Sequence, residues 1–148
     1  MADTGSQIKD REELLFLLCE AAEFEHAVMC GYLYAAMTLK RTADETLSEE
    51  ELESVSRWRR QVISVAVEEM LHLALVNNLL TAFGGSGHFG RPNFPVPAGR
   101  FPASLELNLA PFNESTLQHF QFLEKPEEVA IPDGTAYRHV RHYHRTMR

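Results

Sequence analysis

Three polar residues lie inside two long apolar segments of the chain: Glu25 in the first segment, and Glu69 with His72 in the second. Apolar residues recur at steps of three and four around Glu25, which places this carboxyl group on the inward face of a predicted helix. The second segment is apolar on nearly every side, a pattern typical of a buried helix. An unpaired ionised carboxylate there would cost several kcal/mol or would take up a proton. A bound cation would remove that cost.

The spacing of these residues predicts a metal site. Glu69 and His72 are three residues apart on one helical face, so both side chains can reach one point beside the helix. Glu25, from a neighbouring helix, would complete the set of ligands. Oxygen and imidazole ligands without a thiolate favour iron or manganese over zinc. The sequence therefore predicts Glu25, Glu69 and His72 as metal ligands, with a di-iron or manganese centre as the cofactor.

The ligand set also predicts a partner. In di-iron carboxylate bundles, two helices each contribute a Glu and two others each contribute a Glu-x-x-His motif. This chain supplies one helix of each kind, which is half of the set. Because a lone hairpin leaves its apolar faces half-covered, we expect two copies to form an antiparallel four-helix bundle as a homodimer. In such a dimer Glu69 would bridge the metals and His72 would be a terminal ligand.

The same residue types leave structural alternatives open. Glu25, Glu69 and His72 could form a buried ion triad that only fixes the register of the helices. Glu23 and His26 have the same Glu-x-x-His spacing, but Glu23 lies about 200° around the helix from the inward face and is expected to be solvated. His26 could be a core histidine, a partner of a ligand or a substitute ligand.

Other residues near these positions have weaker signals. Glu68 lies on a flank of the second helix, where a salt bridge is expected rather than metal ligation. Tyr32 follows Glu25 by seven residues and is a candidate catalytic residue, as a redox tyrosine near the metal, with a packed aromatic ring as the alternative. We expect His139, His142 and His144 to be surface residues.

Composition bounds the class of protein. The chain has 148 residues, of which 45% are hydrophobic, which fits a single domain over residues 1–148 that buries a real core. Its net charge of -7 argues against a nucleic-acid partner. The chain begins with the polar segment MADTGSQIKDREE, and we expect no apolar run to be long enough to span a membrane. These features predict a soluble, cytoplasmic protein without a membrane partner. A small-molecule substrate remains as the expected partner.

Local signals predict where the helices begin and end. The first helix should run over residues 11–40 after Asp10 as N-cap. Ser48 and Glu51 form a capping-box pattern that begins the second helix, and Gly84 with Gly85 ends it. One short strand is possible around Leu105 to Leu109, where leucines alternate with polar residues. The predicted units are a helical hairpin at 11–84, a proline-rich extended connection at 85–112, and short helices with a tail at 113–148.

These segments resemble a known family. The stretch from EHAVMCGYLYAA through VEEMLHLALVNNLL resembles the first helix pair of the ferritin-like superfamily, with Tyr32 placed as in bacterioferritin-type helices. The following segment is GGSGHFGRPNFPVPAGRFPASLELNLAPFNESTLQHFQFLEKPE. It is similar to the ferritin-like domain of iminophenyl-pyruvate dimer synthases, which oxidatively couple amino-acid-derived imines in violacein, rebeccamycin and staurosporine biosynthesis. The resemblance covers about Leu14 to Glu127.

The resemblance implies an all-α, ferritin-like fold and a metal-dependent oxidoreductase of secondary metabolism that acts on a small aromatic imine. Members of the family continue into a further pair of bundle helices, whereas this sequence ends at Arg148. We therefore expect either a dimer that completes the bundle or a shortened relative with an incomplete site. Two other functions stay open: a non-catalytic scaffold or interaction module, and a two-helix iron storage or detoxification protein.

Overall fold

The first two helices form an antiparallel hairpin. The computed structural model describes residues 8–43, 46–97 and 106–124. Its helices are α1 (Arg11–Thr38), α2 (Glu49–Ala82) and α3 (Glu114–Leu123). At the start of α1, Arg11 Nε donates a 2.8 Å hydrogen bond to the carbonyl of Phe83, just after the end of α2. The two helices therefore run in opposite directions, and the predicted all-α hairpin is confirmed.

Side chains next to the helices fix their ends. Asp10 accepts a 2.8 Å hydrogen bond from the backbone N–H of Glu13, as expected for the N-cap of α1. At α2, Ser48 and Glu51 form the predicted capping box, in which each side chain accepts a hydrogen bond from the backbone N–H of the other residue. Gly84 follows α2 with a φ of 74°, a conformation that residues with a Cβ rarely adopt.

The connection after the hairpin returns to the core through one backbone bridge. Val96 and Leu107 are both buried and exchange backbone hydrogen bonds of 2.7 and 3.0 Å in antiparallel fashion. In the part of the connection that the structure describes, this isolated bridge takes the place of the possible strand. Leu109 is exposed, so the alternation of leucines does not continue as one buried face.

The third helix packs beside Tyr32. Asn113 caps α3 by accepting a 3.0 Å hydrogen bond from the N–H of Thr116. The ring of Phe120 lies 4.2 Å from the ring of Tyr32 and is tilted by 49°. This contact places α3 against α1. The predicted tail and its three histidines at positions 139, 142 and 144 lie outside the described residues.

One side of α2 is exposed and strongly apolar. Within the described chain α1 and the connection cover only part of this helix, so the predicted burial of the whole helix depends on the expected second copy. The exposed large apolar residues of its central part are Ile63, Val67, Met70, Leu71, Leu75 and Leu79.

By length and composition α2 is also long and apolar enough to cross a membrane, which corrects the expectation that no run reaches that length. Long core helices of soluble bundles meet the same criteria.

Removing the capping box should weaken α2 measurably. We expect Ser48→Ala to lower the free energy of unfolding by about 1 kcal/mol, because the backbone N–H of Glu51 loses its acceptor. Urea denaturation followed by circular dichroism measures this change. Ser64→Ala, an exposed substitution in the middle of the same helix, is the matched control and should leave stability nearly unchanged. Equal losses in both variants would contradict a specific capping role.

Candidate metal centre

The structure brings the three predicted ligands together. Ligand atoms of Glu25, Glu69 and His72 all lie within 4.8 Å of one another. His72 Nδ1 is 3.4 Å from Glu69 Oε2 and 3.6 Å from Glu25 Oε2. The helical spacing explains this arrangement, since one turn of α2 presents Glu69 and His72 to the same point and α1 presents Glu25 opposite them. Two carboxylates and one imidazole can ligate a divalent cation there.

The cluster lies at the edge of the hairpin and not in a fully dry interior. The side chain of Glu69 is 7% exposed and that of Glu25 is 20% exposed, whereas that of His72 is 50% exposed. The placement of His72 on the inward face of α2 was therefore only partly right. Its ring lies where the cover provided by α1 ends, so the cluster is buried on one side and open on the other.

The two carboxylates interact unfavourably when both are ionised. Burial, a hydrogen bond with Glu69, the charge of Glu69 and the charge of Glu124 together raise the pKa of Glu25 from its ordinary value of 4.5 to about 8, and burial is the largest cause. Without a cation, the Glu25 carboxyl therefore keeps a proton at neutral pH. A metal ion would take the place of that proton, because it stabilises both ionised carboxylates at once.

Tyr32 contacts a carboxylate that the sequence analysis did not identify, Glu124. The Tyr32 ring is buried, and its hydroxyl donates a 2.6 Å hydrogen bond to Glu124 Oε1. Burial, that hydrogen bond and the charges of Glu124 and Glu69 all raise the pKa of the Tyr32 phenol, so it stays protonated. The packing on Phe120 shows that Tyr32 is also a core aromatic. Its catalytic role stays a prediction.

The rival Glu-x-x-His pair has other partners. Glu23 is not solvated as predicted, because its side chain is only 18% exposed and its Oε1 lies 3.1 Å from His88 Nε2. His26 Nδ1 lies 3.0 Å from the carbonyl oxygen of Phe89. Both side chains therefore contact the start of the connection and do not join the cluster around Glu25.

The buried side-chain amide of Asn77 on α2 holds the start of the connection against the hairpin. Asn77 Nδ2 donates a 3.1 Å hydrogen bond to the carbonyl of His88, and its Oδ1 accepts a 2.6 Å hydrogen bond from the N–H of the same residue. These bonds imitate a backbone pairing and fix residues 88–89 across the hairpin. Glu68, for which the sequence analysis expected a salt bridge rather than metal ligation, is exposed on α2.

Comparison with known proteins identifies the family. A family model described as Ferritin-like matches residues 18–147. The chain belongs to the ferritin-like family, and the resemblance found in the sequence is confirmed.

Two curated relatives are enzymes by name. The chain is 33% identical over 144 residues to a 2-imino-3-(indol-3-yl)propanoate dimerase of Chromobacterium violaceum, which covers 86% of this chain and 14% of that protein. It is 28% identical over 144 residues to a dichlorochromopyrrolate synthase of Lentzea aerocolonigenes, covering 84% of this chain and 14% of that protein. The chain thus spans only a small part of the length of these relatives. No solved structure matched it significantly.

The stability of the metal-free protein should depend on pH through Glu25. The folded chain keeps the Glu25 proton up to about pH 8, whereas the unfolded chain loses it near the ordinary value of 4.5. Since the folded state then binds more protons, the free energy of unfolding should fall as pH rises through this window. Urea denaturation at several pH values in the presence of a chelator measures the slope.

The variant Glu25→Gln removes this titration, so its unfolding free energy should decline less over the same window. Glu20→Gln, on the same helix and outside the cluster, is the control and should keep the slope of the unaltered chain. If Glu25→Gln and the unaltered chain showed the same slope, the proposed protonation of Glu25 would be contradicted.

Proposed function

We propose that the protein is a metal-dependent oxidoreductase of secondary metabolism that uses a di-iron or manganese centre and acts on a small aromatic, amino-acid-derived imine. The observation that carries this proposal is the convergence of Glu25, Glu69 and His72 on one point at the open edge of a ferritin-like hairpin. The names of the two relatives support an enzyme of this kind, although each name belongs to a much longer protein.

The donor set fits a divalent cation. Carboxylate and imidazole ligands bind such ions at about 2 Å, so ligand atoms around one ion lie roughly 3 to 4 Å apart. The atoms of Glu25, Glu69 and His72 are within 4.8 Å of one another, so small side-chain rotations suffice. The cation would also neutralise the two carboxylates. A bound iron or manganese ion would supply redox and Lewis-acid chemistry at this place.

A second copy of the chain is part of the proposal. One hairpin has a Glu on α1 and a Glu-x-x-His motif on α2, which is half of the ligand set of a di-iron bundle. Leu75 and Leu79 follow His72 by three and seven residues, so these exposed leucines lie on the same side of α2 as the open edge of the cluster. A twofold axis along this side would bury the apolar surface and join two half-sites.

The residues of the chain would divide the work. Glu25 and Glu69 would hold the positive charge of the metal, and His72 would donate one neutral nitrogen ligand. Tyr32 would serve as a redox-active side chain next to the centre, because its hydroxyl proton already faces an acceptor at Glu124 Oε1. The core packing of its ring would keep water away from the phenol.

Metal content tests the ligand assignment. Purified protein from iron- and manganese-supplied medium should contain about one metal ion per chain, and Glu69→Ala should remove most of it, because Glu69 is the most buried ligand. Elemental analysis measures both. Glu68→Ala removes the neighbouring, exposed carboxylate and should leave the metal content unchanged. Metal-free protein, or equal losses in both variants, would contradict this assignment.

Association tests the shared site. Leu75→Asp should turn a dimer into a monomer and lower metal content with it, because the half-site alone supplies too few ligands for a dinuclear centre. Met37→Asp, at an exposed methionine of α1, is the matched control and should remain a dimer. Size-exclusion chromatography with light scattering measures the mass. A metal-loaded monomer would contradict the shared site, and a metal-free dimer would favour a scaffold built on the exposed face of α2.

A further inference from the structure

A cavity of about 440 Å³ lies beside Tyr32, where α1, α2 and α3 meet. Aromatic side chains form much of its wall: Trp58 from α2, Phe112 from the connection and Phe120 from α3. Val62 and Val65 of α2 add aliphatic surface. Small-molecule sites in proteins commonly have volumes of about 300 to 1,000 Å³ and mostly apolar walls. The cavity is therefore large enough for one planar molecule of one or two rings.

The shape of the wall favours a flat ligand. The rings of Trp58 and Phe112 are close to parallel, with centroids 6.4 Å apart and an angle of 25° between their planes. Trp58 is half-exposed at 48%, so its ring has free surface to contact a further ring. Aromatic rings gain about 0.5 to 1.5 kcal/mol from offset or edge contacts beyond simple burial. A planar aromatic molecule gains more from these walls than an aliphatic one of equal size.

The charge in the cavity favours a cation. Among the described residues of the wall, Glu124 alone carries a charge, and its Oε1 already accepts the hydroxyl proton of Tyr32. Two neutral amide side chains, Gln61 and Gln121, also line the wall. A carboxylate attracts a protonated amine, and a ligand that also carries a carboxylate would hold that group away from Glu124.

We propose that this cavity binds a small planar aromatic molecule that carries a protonated amine or iminium group, with its ring against Trp58 and Phe112 and its cation at Glu124. The assignment of this ligand as the substrate rests on the proposed function. The position supports that assignment, because Tyr32 contacts Glu124 and follows the metal ligand Glu25 by two helical turns. A ring held in the cavity would therefore lie next to the candidate redox tyrosine.

Binding can be measured with two simple probes of opposite charge. The probes are 2-phenylethylamine, a cation, and phenylacetate, an anion of similar size. Trp58 is the single tryptophan of the chain, so its fluorescence, excited at wavelengths that the probes do not absorb, reports on the cavity directly. We expect saturable binding of 2-phenylethylamine and weaker binding of phenylacetate, and calorimetric titration checks both results independently of fluorescence.

Substitutions at Glu124 test the charge preference. Glu124→Gln should weaken binding of the amine roughly two- to fivefold, as expected for a partly exposed ion pair. Glu124→Lys should reverse the order of the two probes, and a basic residue is well tolerated at the C-terminal end of α3. Glu53→Gln, an exposed carboxylate of α2 away from the cavity, is the control and should bind like the unaltered chain. Circular dichroism confirms that each variant is folded.

Each outcome bears on the proposal. Equal affinity for both probes, or the same amine affinity in folded Glu124→Lys as in the unaltered chain, would overturn the assignment of a cationic ligand. Absence of binding by both methods would overturn the cavity as a ligand site. Metal content measured in the same samples separates the two proposals. Amine binding by a metal-free protein supports the cavity and contradicts the metal centre. A metal-loaded protein that does not bind the amine supports the metal centre and contradicts the cavity.

Discussion

The contact between Glu25 and Glu69 is the constraint on which the hairpin depends. Two carboxyl groups from neighbouring helices share a largely desolvated space, and the pKa of Glu25 rises to about 8 as a result. Such a pair persists only if a proton or a cation compensates its charge. Two apolar side chains of similar size would pack between the helices without any charge to compensate. In the metal-free chain the proton on Glu25 compensates this charge, and in the proposed centre a cation between Glu25, Glu69 and His72 would take its place.

The surroundings of the cluster divide into a closed and an open side. On the closed side, Tyr32 packs on Phe120 and donates a hydrogen bond from its hydroxyl to Glu124, and all three residues line the aromatic cavity. On the open side, His72 is half-exposed and the apolar surface of α2 continues around Leu75. The proposed ligand and the proposed second copy would thus approach the centre from different sides. In the proposed dimer, this separation would leave the cavity open to a small molecule.

Helix ends and the approach of Glu69 to His72 were predictable from the sequence because both depend on local spacing. Capping by Asp10 and by Ser48 with Glu51 involves residues three apart, and helical periodicity alone brings His72 next to Glu69. The contact of Tyr32 with Glu124 spans 92 residues and depends on the path of the connection, which no periodic pattern encodes. The same holds for Glu23 and His88, 65 residues apart.

The exposure of His72 was missed for a related reason. Periodicity shows which residues share a face, but the number of helices that cover that face is a property of the assembly.

Anomalous diffraction from crystals of the metal-loaded protein, recorded at the absorption edge of the metal, tests the shared centre most directly. Two peaks about 3.5 to 4 Å apart across a twofold axis, each bounded by Glu25, Glu69 and His72, are expected. A metal peak elsewhere, or none at this cluster, would contradict it.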